Sequence, residues 1–197
     1  MDSKTLSFIT MMGVLGNVLF AISYYAGNIA PGIAFDFSLI GAYIAGFYGG
    51  PLIGFISGMF VGLLPGIMFG PLGQSQWLGL FGLPFGKGLT GLAMGILAKC
   101  LKVRERKYSS ILTIPLVFLA YIPECIFTYA FFEYLMPFFV GRGGAYMFYY
   151  ILPKALVEIT VMSFLIAALI GNNGFTEFIG KFLTKSYIRP VIKTRES

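Results

Sequence analysis

The stretch Pro51-Leu-Ile-Gly54-Phe-Ile-Ser-Gly58-Met-Phe-Val-Gly62-Leu-Leu-Pro-Gly66-Ile-Met-Phe-Gly70 decides the fold class. It carries no charge, it is long enough to cross a hydrocarbon core of about 30 Å as a helix, and its glycines recur every four residues. Residues four apart share one helix face. A glycine face lets a second helix come close, which gains dispersion contacts where lipid offers no hydrophobic driving force. Two readings follow for Gly54, Gly58 and Gly62: internal helix packing, or a docking face for a partner. Gly13, Asn17 and Ala21 form a similar four-residue stripe nearer the N-terminus.

The apolar character extends in both directions. Asp36 is the single charged residue between Thr5 and Gly86. Of the 197 residues, 57% are hydrophobic and 11% charged, with a mean hydropathy of +0.84. Soluble domains carry about 25% charged residues, and a chain of this size lacks the interior to hide so much apolar surface. A soluble globular domain, a disordered chain and a disulfide scaffold are excluded. The N-terminal segment lacks signal-peptide order, so its apolar run reads as a retained span.

Glycine and proline punctuation predicts an all-α membrane bundle of six spans, about 6–25, 33–49, 51–69, 77–101, 110–135 and 145–170. Span 2 would begin as a dipping loop, and Pro51 suits the first turn of span 3. Residues 1–174 form the membrane domain and residues 175–197 a basic tail. Lys4, the group Lys99, Lys102, Arg104, Arg106 and Lys107, and the group Lys181, Lys185, Arg189, Lys193 and Arg195 fall on one side if there are six spans. Arg142 falls on the other. The positive-inside rule then puts both termini in the cytoplasm of a multi-pass plasma-membrane protein.

Four charges are expected inside spans 4–6. Lys87 lies roughly 15 Å into span 4 at 1.5 Å per residue. Glu124 is near the middle of span 5, in a stripe with Tyr121 and Thr128. Glu158 is near the middle of span 6, in a stripe with Tyr150 and Lys154. Each charge costs at least about 2.5–3.5 kcal/mol at the bilayer centre, so each needs a partner or a wet cavity. Internal ion pairs are one reading; a polar substrate pocket is the other. In the first, Lys154 pairs with Glu158 along one helix, leaving Lys87 and Glu124 as the inter-helix pair. Trp77, Tyr129, Tyr134, Tyr146, Tyr149 and Tyr150 read as an interfacial belt, some of them available to stack on a planar ligand.

No catalytic machinery is legible. The chain has no histidine, and Cys100 and Cys125 stand apart without metal-ligand spacing. Gly82-Leu-Pro-Phe-Gly86-Lys87-Gly88 has too few residues between its glycines for a phosphate loop and lacks the following Ser/Thr. Neither G-x-S-x-G nor H-E-x-x-H occurs. The expectation is a non-enzyme with no cofactor, no metal and no nucleic-acid partner.

The run Ala34-Phe-Asp-Phe-Ser-Leu-Ile-Gly-Ala-Tyr-Ile-Ala-Gly-Phe-Tyr-Gly-Gly-Pro-Leu-Ile-Gly54, its continuation Phe55–Gly66, and Ile151-Leu-Pro-Lys-Ala-Leu-Val-Glu158 resemble the substrate-binding S component of energy-coupling factor (ECF) vitamin transporters. They are similar to that family's first loop, short second span, G-P-x-x-G turn, glycine-rich third span and polar start of the last helix. Six spans and this length agree over nearly the whole chain. The resemblance implies that spans 4–6 and the outer loops bind a vitamin-like small molecule. It implies that spans 1–3 dock on a membrane coupling subunit, which works with two ABC ATPases. Gly13, Asn17 and Ala21 stand where the family carries an alanine stripe. A stand-alone proton-coupled transporter using Glu124 or Glu158, and a membrane sensor module, are the alternatives.

Overall fold

A computed structural model describes residues 2–26, 28–30, 33–141 and 145–183. Gly27, Pro31, Gly32, Arg142 and the tail cations Lys185, Arg189, Lys193 and Arg195 lie outside the described residues, as does the side chain of Tyr146. Among the described residues the chain is mostly helical, with connecting turns and a small antiparallel pairing of β1 (Asn28–Ala30) with β2 (Ile33–Ala34). The helices are α1 (Ser3–Ala26), α2 (Leu39–Gly49), α3 (Pro51–Val61), α4 (Leu63–Phe69), α5 (Gln76–Cys100), α6 (Ser109–Ala130), α7 (Met136–Val140), α8 (Ala145–Gly171) and α9 (Asn173–Gly180). A 3₁₀ turn at Val103–Glu105 joins α5 to α6, and a π turn at Phe131–Leu135 joins α6 to α7.

Among the described residues, five segments are long and apolar enough to cross a membrane: Ser3–Ala26, Pro51–Phe69, Gln76–Cys100, Ser109–Val140 and Phe148–Gly171. These are the dimensions of an all-α membrane protein. The expected second span differs. Helix begins only at Leu39, and its 11 residues reach about 16 Å at 1.5 Å per residue, half of a hydrocarbon core. Residues 35–37 approach it without regular structure.

The short helix occupies the centre. Every residue of α2 is buried, and α1, α3, α5 and α8 all touch it. Tyr43, Ile44, Phe47 and Tyr48 are fully enclosed. Gly50 adopts φ +87° between α2 and α3, a conformation that costs a Cβ-bearing residue most, and Pro51 starts the next helix immediately. The turn is thus one residue long, and α2 folds back on α3.

The glycine stripe of α3 is filled by α5 of the same chain. A Cβ at Gly54 would lie 2.7 Å from the carbonyl carbon of Gly91, one at Gly58 would lie 2.8 Å from the Cα of Gly88, and one at Gly62 would lie 2.8 Å from the nitrogen of Pro84. Backbone meets backbone along this seam, so the docking reading of Gly54, Gly58 and Gly62 is corrected to internal packing.

Two residues of the α1 stripe, Gly13 and Asn17, also make internal contacts. A Cβ on Gly13 would come 2.8 Å from the Cβ of Phe60. Asn17 donates from Nδ2 to the carbonyls of Gly13 and Phe60, both at 2.8 Å, and its Oδ1 accepts the Leu64 N–H at 2.9 Å. Phe60 and Leu64 are the pair that an unbroken helix would bond to each other. The Asn17 carboxamide stands between them and satisfies both, which is why α3 and α4 separate at Gly62 with no orphaned backbone group at this point. Ala21 is partly exposed on the same helix.

At the other end of α2, the Arg104 guanidinium lies 5.8 Å from the Phe47 ring centroid, and the hydroxyls of Tyr48 and Thr176 are 2.9 Å apart. Thr176 belongs to α9, whose first turn is capped by Asn172 Oδ1 accepting from the Phe175 N–H at 3.0 Å. The start of the stretch expected as a tail is therefore packed helix.

Candidate functional site

A cavity of about 330 Å³ opens among α5, α6, α8 and the segment that leads into α2. Its walls follow from helical periodicity. On α5, Gly82, Gly86 and Lys87 face it; on α6, Tyr121, Glu124, Phe127 and Thr128; on α8, Ile151, Lys154, Ala155, Glu158, Ile159 and Met162. Leu72, Gly73, Gln74 and Ser75 close it from the α4–α5 loop, and Asp36 and Leu39 from α2 and its approach.

Six of the seven expected binding residues, Lys87, Tyr121, Glu124, Thr128, Lys154 and Glu158, line this one space. Tyr150 does not: it is 65% exposed and Ile151 takes its place. The reason is rotational. At about 100° per residue, positions seven apart are nearly aligned, whereas positions eight apart have drifted by about 80°. Ile151 therefore sits above Glu158, and Tyr150 turns outward. Trp77, Tyr129, Tyr134 and Tyr149 are also exposed, in keeping with an interfacial belt.

The expected Lys87–Glu124 pair is replaced by a different one. Lys87 Nζ donates to Asp36 Oδ2 at 2.6 Å and to Ser38 Oγ at 2.7 Å. The two ion-paired side chains are 4% and 16% exposed. Asp36 Oδ1 accepts the Ser38 N–H at 2.9 Å, and the Asp36 N–H donates to Glu158 Oε1 at 2.5 Å. Glu158 Oε1 also pairs with Lys154 Nζ at 3.1 Å, one turn back on α8. Glu124 accepts a hydrogen bond from Thr90 Oγ1, one turn beyond Lys87 on α5. The chain before α2 is thus tied to α5 through Lys87 and to α8 through Glu158. Irregular backbone within a membrane protein is tolerated where it is buried in protein or lines a cavity, and Asp36 lines the cavity here.

Asp36, Ser38 and Thr90 are the site residues that the sequence reading leaves out. Asp36 had a signal: a lone carboxylate in a long uncharged run. Its partner lies 51 positions on, and no spacing rule connects the two. Tyr43 adds a buried hydroxyl with no hydrogen-bond partner among the described residues. Also among the described residues, no group of three or more His, Cys, Asp or Glu side chains is placed to hold a metal ion. No protein-family model matches the chain, and no curated protein or solved structure matches it either.

Proposed function

We propose that this chain is a substrate-binding membrane subunit of an ECF-type importer, taking up a vitamin or related small water-soluble nutrient. The observation that carries the proposal is the cavity: five charged side chains converge on one space within an otherwise apolar helical bundle. Burying that many charges is costly, and polar groups arranged around an open volume are what orient a polar ligand. The resemblance of the α2–α3 region and of the α8 start to S components supplies the transporter class. A coupling subunit and two ABC ATPases would complete the machine. The coupling subunit would meet the outward faces of α1 to α4, because the glycine stripe is already filled by α5.

In this reading the chain crosses the plasma membrane six times, with both termini in the cytoplasm. The second crossing combines the loop that dips to Lys87 with the short helix α2. A cysteine at Gln74 should label from outside intact cells and one at Lys107 should not, in a background with Cys100 and Cys125 replaced. Labelling of the Lys107 site would overturn the orientation.

The function is tested by uptake. Small molecules retained by the gently purified chain are identified by mass spectrometry and then offered to cells as labelled substrate. Uptake should stop on ATP depletion and survive collapse of the proton gradient. Uptake that instead follows the proton gradient would replace the proposal with a stand-alone secondary transporter.

A further inference from the structure

We propose that the cavity selects a small organic cation with a flat apolar body, its positive group held by Glu124. The inference rests on the substrate-binding reading and narrows it to one class of ligand. Carboxylates outnumber ammonium groups around the cavity: Asp36, Glu124 and Glu158 against Lys87 and Lys154. Both cations are used in pairs, Lys87 with Asp36 at 2.6 Å and Lys154 with Glu158 at 3.1 Å. Glu124 has no cation within ion-pair distance among the described residues, and its hydrogen-bond donor is the neutral Thr90 hydroxyl. A carboxylate drawn away from bulk water calls for a counter-charge, and a cationic ligand supplies it.

The wall beside Glu124 fits the rest of such a ligand. Phe127 and Phe131 follow it along the helix with ring centroids 6.2 Å apart, and Tyr121 precedes it by one turn. The π turn at Phe131–Leu135 lets two successive aromatic residues, Phe131 and Phe132, both line the cavity. Aromatic faces attract cations, and more strongly where water is excluded. A volume of about 330 Å³ is at the small end of ligand pockets. An anion would face the carboxylate surplus. It would have to take Lys87 or Lys154 from its partner, and that leaves a buried carboxylate uncompensated.

The test uses three probes with one ring and three charges: 1-methylnicotinamide, methylated on the ring nitrogen (cationic), nicotinamide (neutral) and nicotinate (anionic). Equilibrium binding of each is measured to the full chain in detergent micelles. The cation should bind at least tenfold more tightly than nicotinamide, with nicotinate weakest. Glu124→Gln should weaken cation binding at least tenfold and leave nicotinamide within twofold, whereas Glu124→Asp should keep the preference. If Glu124→Gln fails to fold, the wild-type ranking and Glu124→Asp decide. No saturable binding of the cation, equal or tighter binding of either other probe, or a preference that survives in folded Glu124→Gln would overturn the assignment. Tighter binding of nicotinamide or nicotinate would do so while leaving the substrate-binding reading standing.

Discussion

Breaking the Lys87–Asp36 pair from either side should cost more than removing both partners together. At 2.6 Å, two unit charges at an effective dielectric of 20 attract by about 6 kcal/mol. The desolvation of two nearly buried ions offsets most of that, so the intact pair contributes little net stability. Removing one partner is different, because the desolvation already incurred by the survivor is no longer compensated. Lys87→Met keeps the length of the side chain and strands the Asp36 carboxylate. Asp36→Asn strands an ammonium whose remaining close partner is Ser38 Oγ at 2.7 Å. Each single change should destabilise by about 3–5 kcal/mol. The double variant should be more stable than either, with a coupling energy of about 2 kcal/mol or more. Unfolding by SDS titration in mixed micelles, followed by circular dichroism, measures all four corners of the cycle. Additive costs, with the double variant as unstable as the sum of the singles, would refute the claim that these two groups act as a pair.

Two further outcomes follow from the helix seams. Gly58→Leu drives a side chain into the α5 backbone near Gly88 and should destabilise by about 3 kcal/mol or more, seen as a large fall in melting temperature; a variant that melts like wild type yet fails to support uptake would restore the docking reading. Asn17→Ala removes three hydrogen bonds at the α3–α4 break and leaves the Phe60 carbonyl and Leu64 N–H without this partner, costing about 0.5–1.5 kcal/mol per lost bond; a melting temperature within a degree of wild type would show that the break closes into continuous helix.

The long helices were legible because punctuation and hydrophobic run length act locally. Pro51, the Gly70–Ser75 turn and the basic residues after Cys100 end or start helices by effects confined to a turn or two. The convergence of α5, α6 and α8 was legible too, since charges inside apolar helices have few places to go. The pairing was not. A lysine in α5 has several acids within its reach, and the choice of Asp36 over Glu124 depends on how far residues 35–37 enter the bundle. That depth is set by α2 being short and wholly buried, a tertiary property. The role of Asn17 escaped for a related reason. Its spacing with Gly13 and Ala21 reads as a stripe of small residues, whereas its amide acts on a backbone 43 positions away. Tyr150 failed by accumulated rotation, an error that grows with each four-residue step along a 3.6-residue helix.

The lock between Lys87 and the approach to α2 also constrains how the protein is made. At 11 residues, α2 is too short to enter a bilayer as an independent span. Joined to α3 by Gly50 alone, it has to go in as half of a hairpin. Asp36 lies 51 positions before its counter-ion Lys87, which belongs to a helix translated after the hairpin. Until α5 has been made, Asp36 lacks the ammonium that pairs with it in the folded chain, and an unpaired carboxylate is costly inside a bilayer. Only then can the Lys87–Asp36 pair form beside the cavity. This wall of the site is among the first parts to be translated, yet its pairing depends on a residue made later.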